Sequence, residues 1–103
     1  MARTITFIQS SASKGIRVRD VVNSLGISRS TLETRFKTAT GETINTAIRR
    51  SQLQRVRRMI AETNLAMKEI AAVTGFKSVQ HMTTAFGKAF GRTPAKYRKA
   101  MLE

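Results

Sequence analysis

Two runs of small polar side chains hold the residue types in this 103-residue chain that could do chemistry. One follows Ser28 and comprises Arg29, Ser30, Glu33, Thr34 and Lys37. The other follows Ser78 and comprises Val79, Gln80, Thr83, Thr84 and Gly87-Lys88. Each serine suits the N-cap of a helix. The apolar residues between, Leu32 and Phe36 in one run and Met82, Phe86 and Phe90 in the other, recur every fourth position. That spacing gathers them on one helix face and turns the polar set outward. Short polar side chains on such a face can approach base edges in a DNA major groove. The Gln80 amide matches the donor–acceptor pair of adenine, Glu33 can accept from a cytosine amino group, and Val79 and the threonine methyls can touch a thymine methyl. A polar outer face is also what any surface helix carries, so the faces alone leave solvation open. Glu33 has a second use as well, an ion pair with Lys37 one turn on.

Other chemistry has little to work with. There is one histidine, His81, one aspartate, Asp20, and no cysteine. No paired carboxylates, Cys/His cluster or glycine-rich phosphate loop occurs, so an enzyme is not expected and no cofactor or metal is called for. His81 reads as a solvent-facing or phosphate-bonding imidazole, because no second ligand stands near it in sequence. Nineteen Lys and Arg against six Asp and Glu give a net charge of +13. Such an excess favours nucleic acid as partner, ahead of an anionic membrane surface. With no apolar run of about eighteen residues and no signal-peptide pattern, the expectation is a soluble, cytoplasmic protein.

The elements that must position these runs are legible from turns and periodicity. Gly75 can end a helix with positive φ and Phe76 can turn inward after it. Lys68-Glu69 leads the short helix before it, which holds Ile70-Ala71. Gly91 can close the helix that Ser78 opens, and Thr93-Pro94 reads as N-cap and first residue of a last helix holding Tyr97. The same unit occurs earlier. Val18 to Leu25 is a short helix with Val21, Val22 and Leu25 on one side, Gly26 ends it, and Ile27 plugs the turn. Val21, Gly26 and Ile27 lie 49 residues before Ile70, Gly75 and Phe76, while Ser28, Leu32 and Phe36 lie 50 before Ser78, Met82 and Phe86. The second turn has gained a residue, and the chain holds two copies of one unit.

From Thr43 to about Ala61, Ile44, Ala47, Ile48, Leu53, Val56, Met59 and Ile60 follow helical spacing with no Gly or Pro between them. One helix of about 30 Å is expected there, with both units packed on its apolar stripe. Arg49-Arg50, Arg55 and Arg57-Arg58 would then form the other half of an amphipathic surface, solvated or turned toward DNA or polymerase. A membrane reading is weak, since the stripe already joins the lobes. At the N-terminus, Thr4 to Ile8 alternates like a strand, yet Ile5, Ile8 and Ala12 fit a helix face. Ser13-Lys14-Gly15 reads as a loop.

Ile70-Ala71, Gly75-Phe76, Ser78, Phe86, Phe90, Thr93-Pro94 and Tyr97-Arg98 together resemble the C-terminal signature of the AraC/XylS family of bacterial transcription regulators. Leu25 to Phe36 is similar to that family's first helix-turn-helix, and its Ser-Arg-Ser start is most similar to the xylose-operon regulator branch. The resemblance runs from about Ile5 to Arg98 and favours a helix at the N-terminus. It implies an all-α fold of about seven helices, with two helix-turn-helix lobes (1–42 and 63–103) joined by one long helix (43–62). Ser30, Glu33 and Thr34 fall where the family's first recognition helix reads bases, and Val79, Gln80, Thr83 and Thr84 where the second does. Neither Thr34 nor Thr84 is the arginine that many relatives carry, which favours methyl and shape readout over an Arg–guanine contact.

Phosphates could be held by Arg29, Arg35, Lys77, His81, Lys88, Lys96 and Arg98, and at helix N-termini by Ser28, Ser78 and Thr93. The function so implied is sequence-specific reading of double-stranded DNA in two successive major grooves. Its usual outcome is activation of a sugar catabolic operon by contact with RNA polymerase. The alternatives are a non-specific architectural DNA binder, or a protein-interaction module using the basic central helix against polymerase. Family members usually carry a separate inducer-binding sensor domain. Nothing here could be that domain, so the chain is either a natural one-domain regulator or the reader of a larger protein. The second is expected, because the branch it most resembles carries an N-terminal sugar-sensing domain, and the isolated domain is expected to be monomeric.

Overall fold

The computed structural model describes residues 2–102. In chain order they form α1 (Ala2–Ser11), a 3-10 turn (Ala12–Lys14), α2 (Val18–Leu25), α3 (Arg29–Thr40), α4 (Ile44–Glu62), α5 (Met67–Val73), α6 (Val79–Phe90) and α7 (Pro94–Leu102). No strand occurs among the described residues. At the N-terminus the helical alternative holds: Thr4 and Ile8 are buried on one face of α1, and Ala12 continues that face. The expected loop at 13–15 is a turn of 3-10 helix closed by Gly15 at φ 73°.

Capping sets where the helices begin. Ser28 Oγ accepts from Thr31 N–H, Thr43 Oγ1 from Thr46 N–H and Ser78 Oγ from His81 N–H, each filling one of the amides a helix start leaves open. The lone aspartate does the same for α2, accepting from Arg17 N–H at 2.7 Å. The two turns differ by the inserted residue. In the first, Gly26 N–H returns to Val22 O. In the second, Thr74 N–H returns to Ile70 O, Gly75 takes φ 87°, and Phe76 N–H reaches back to Ala71 O. Phe76 in the second turn lies in the core, where it is 6% exposed, while Ile27 in the first is only half-buried.

Two cores result. Ile8, Ala12, Val21, Leu32, Phe36, Ile44, Ala47 and Ile48 form the first. Leu53, Val56, Ile60, Ile70, Ala71, Phe76, Met82 and Phe86 form the second. Thus the N-terminal half of α4 serves one lobe and the C-terminal half the other. At about 100° per residue, Leu53, Val56 and Ile60 lie roughly 160° around α4 from Ile44, Ala47 and Ile48. The single apolar stripe expected from sequence is therefore two stripes on nearly opposite faces, and the lobes sit on different sides of the helix.

The arginines of α4 change accordingly. They do not share one face, yet Arg50, Arg55, Arg57 and Arg58 stay exposed and only Arg49 is half-buried. Arg49 lies over the Phe76 ring at 4.7 Å and Arg57 over the Phe90 ring at 4.9 Å, while Arg50 pairs with Glu42. Arg49 Nη1 is buried with no hydrogen-bond partner among the described residues, and burial lowers the pKa of its guanidinium. The ring face supplies the compensation, since a guanidinium is drawn to aromatic π density. Phe90, expected as core, is half-buried with Arg57 as its cover; its ring packs 4.6 Å from Phe86, which also meets Tyr97 edge-on at 5.6 Å.

Candidate nucleic-acid interface

The surface built by α3 and α6 starts from their caps and their buried residues. Leu32 and Phe36 anchor α3, and Met82 and Phe86 anchor α6, each 1% exposed or less. With those four turned inward, Ser30 and Thr34 on α3 and Gln80 and Thr84 on α6 are exposed. Glu33 and Thr83 are half-exposed. Glu33, Thr34, Lys37, Thr38 and Thr43 line one shallow groove beside the start of α4. Val79 differs from its expected place on the outer face. It is half-buried and packs against the second core, leaving only part of its side chain for a base.

Glu33 is paired, but with a different partner from the one sequence spacing favoured. Arg29 Nε donates to Glu33 Oε1 at 3.3 Å, one turn before rather than after it. Both side chains are well exposed, so the pair is a weak tie of about 0–1 kcal/mol and leaves both groups able to turn toward a ligand.

Among the phosphate candidates, Arg35, Lys77, Lys88 and Lys96 are exposed, and His81 is exposed with its ring edge-on to Phe76 at 5.6 Å. Ser28 Oγ donates to Thr31 Oγ1 while capping α3. Ser78 caps α6, and Thr93 Oγ1 accepts from Lys96 N–H at the start of α7. The first-turn amides behind these caps are the ordinary groups for an anion.

Arg98 is the exception. Its guanidinium is spent inside the molecule, where Nη1 donates to Leu65 O at 2.7 Å, Nη2 to Thr63 O at 3.1 Å and Nε to Ile60 O at 3.4 Å. It closes the carbonyl end of α4 and the link to α5, so the expected phosphate role is replaced by a structural one. A cation there also suits the negative end of the α4 dipole. Arg98→Ala is expected to lose about 1.5–3 kcal/mol of stability, the worth of hydrogen bonds from a charged donor. Thermal melting by circular dichroism measures it. A wild-type melt with uniformly weaker DNA binding would return Arg98 to the phosphate set.

Sequence reasoning also passed over Gln52, a polar residue 4% exposed in the middle of α4. Its only local signal was its helical spacing from the apolar Ile48 and Val56, four residues to either side. No group of three or more His, Cys, Asp or Glu that could hold a metal occurs among the described residues, nor a helix long and apolar enough to cross a membrane.

Two capped helices with polar outer faces, each behind a tight turn and both fixed to one long helix, define a double helix-turn-helix DNA-binding domain. The family described as a helix-turn-helix domain matches residues 21–100. The xylose operon regulatory protein of Escherichia coli K12 is 41% identical over 92 residues, which cover 89% of this chain and 24% of that protein. Its counterpart in Haemophilus influenzae is 34% identical over the same length. The structure of the xylose-binding transcription activator XylR superposes with a TM-score of 0.84 at 39% identity, over 94% of this chain and 26% of that one. The DNA-binding domain of AdpA, solved with a target DNA, superposes at 0.91 over 96% of this chain and 89% of that one. At 22% identity it speaks for the fold alone. The chain belongs to the AraC/XylS family of DNA-binding transcription regulators. It spans 24% of the length of the xylose regulators it matches.

Proposed function

We propose that this chain reads double-stranded DNA in a sequence-specific manner, with α3 and α6 in two successive major grooves on one face of the duplex. The observation that carries the reading is the joint placement of the units. They are fixed to opposite faces of one uninterrupted 19-residue helix, and the molecule is 46 Å long and about half as wide. Successive major grooves lie about 34 Å apart. A molecule of this length is long enough to reach from one groove to the next.

In this reading Ser30, Glu33 and Thr34 face one set of base edges, and Gln80, Thr83, Thr84 and the open part of Val79 face the other. Arg29, Arg35, Lys77, His81, Lys88 and Lys96 hold phosphates, together with the first-turn amides that the caps Ser28, Ser78 and Thr93 leave open. The phosphate contacts set register, and the short side chains supply sequence preference. The physiological role is activation of a sugar catabolic operon in the bacterial cytoplasm, with RNA polymerase as second partner and an inducer-binding domain elsewhere in a longer regulator. The likeness to xylose operon regulators supports that role. The isolated domain acts as a monomer, since both reading units are in one chain.

Selection of bound sites from random DNA tests the reading, with Gln80→Ala as the discriminating variant. The variant is expected to lose about 1–3 kcal/mol on the selected site, with relaxed preference at one or two adjacent base pairs. An unchanged site profile would make Gln80 an ordinary surface residue.

A further inference from the structure

The two reading units also meet directly, beside the middle of α4. Gln52 stands there, between the α4 residues that serve the first core and those that serve the second. Its Nε2 donates to Ala12 O at 3.0 Å, forty residues away in sequence, and the same carbonyl accepts from Gly15 N–H at 3.2 Å. Gly75, in the turn of the second unit, faces this group. A Cβ at Gly75 would stand 2.8 Å from Gln52 Nε2, 2.9 Å from Ala12 O and 3.0 Å from Gly15 N. The 3-10 turn of the first lobe and the turn of the second are thus packed with no room for one methyl group. At Gly26, the equivalent glycine of the first unit, a Cβ meets nothing within 4 Å. The close approach therefore belongs to the junction and not to the repeat.

Gln52 is a poor choice if stability were its only use. Its Oε1 is buried with no hydrogen-bond partner among the described residues, a cost that an apolar side chain of similar length would avoid. What the amide adds is a bond with a fixed length and direction, which an apolar contact lacks. We infer that Gln52 and the close contact at Gly75 set the separation of the two reading helices, and with it the spacing of the two DNA boxes the chain accepts. The inference rests on the two-groove reading. Each base pair adds about 3.4 Å of rise and about 35° of rotation, so a small shift at this junction is felt as a change of spacing.

The test measures affinity for duplexes in which the two boxes stand at the native spacing or one, five or ten base pairs further apart. For the wild type, one added pair is expected to weaken binding about tenfold, and five or ten to leave only single-box affinity. A flexible tether would instead recover much of the affinity at ten. Gln52→Met removes the donor and keeps the length. It is expected to match the wild-type melting temperature and single-box affinity, while one added pair costs less than about threefold, because the directional tie is gone. Gly75→Ala wedges the junction and is expected to bind the site lengthened by one pair at least as well as the native one. Gly26→Ala carries the same positive-φ strain in open space and is expected to keep the wild-type preference, separating strain from wedge. Should Gly75→Ala fail to fold, the Gln52→Met series decides. A Gln52→Met profile as sharp as the wild type would overturn the inference while leaving the two-groove reading intact. A wild type indifferent to spacing would overturn that reading and the inference together.

Discussion

Raising the salt concentration from about 50 to 200 mM is expected to weaken binding to duplex DNA by roughly a thousandfold, if about six phosphates are neutralised. The chain carries a net charge of +13, and only part of it is free to meet a phosphate. Arg98 is withdrawn into carbonyl bonds, and Arg49 and Arg57 lie over aromatic rings. Arg35, Lys77, Lys88 and Lys96 stay exposed on or beside the reading units, with Arg29 only loosely held by Glu33. These cations, with His81 and the helix-start amides, make up a set of about that size. Each neutralised phosphate releases about 0.9 of a condensed counterion, so a log–log slope of about −5 is expected from fluorescence anisotropy at several salt concentrations. Selected and random duplexes should show nearly parallel salt lines with different intercepts if the base-reading residues supply the preference. A nearly flat line would remove duplex DNA as the partner. Coincident lines would favour the non-specific architectural alternative.

Phe86→Ala is expected to cost about 3–5 kcal/mol, and Phe36→Ala a matching amount, as the usual loss for a buried aromatic. Phe86 is 0% exposed and Phe36 1%, and each is central to its own lobe. Because a small domain commands only about 5–15 kcal/mol in all, either change should remove much of the stability. The losses should arise separately, since the two cores share α4 but no core residue. Thermal melting followed by circular dichroism checks both variants. Phe90→Ala is the contrast: Phe90 is half-buried beneath Arg57, and a smaller loss is expected. Wild-type-like melts for Phe36→Ala and Phe86→Ala would show that the repeat had been aligned on the wrong residues.

Much of this molecule was legible in the chain because much of it is decided within four or five residues. Ser28, Thr43 and Ser78 cap helices through bonds to amides three positions on, and Gly26 and Gly75 take the left-handed backbone that closes the helices before them. The four-residue spacing of Leu32 and Phe36, and of Met82 and Phe86, buries one face and leaves Ser30, Thr34, Gln80 and Thr84 outside. Repetition at 49–50 residues then doubles the unit. Elsewhere local pattern was silent or misled. Ile44 to Ile60 reads as one apolar stripe until two lobes claim opposite faces of it, because periodicity reports that a residue is buried and not against what. Arg98 looks like any exposed cation near a DNA-binding helix, yet its acceptors lie 33 to 38 residues away. Gln52 and its acceptor are 40 apart, and the contacts that forbid a side chain at Gly75 come from the middle of α4 and from the far lobe. Caps, turns and helix faces are set by neighbours along the chain. The partner of a buried amide, the use of a guanidinium and the distance between two reading helices exist only once the lobes have met.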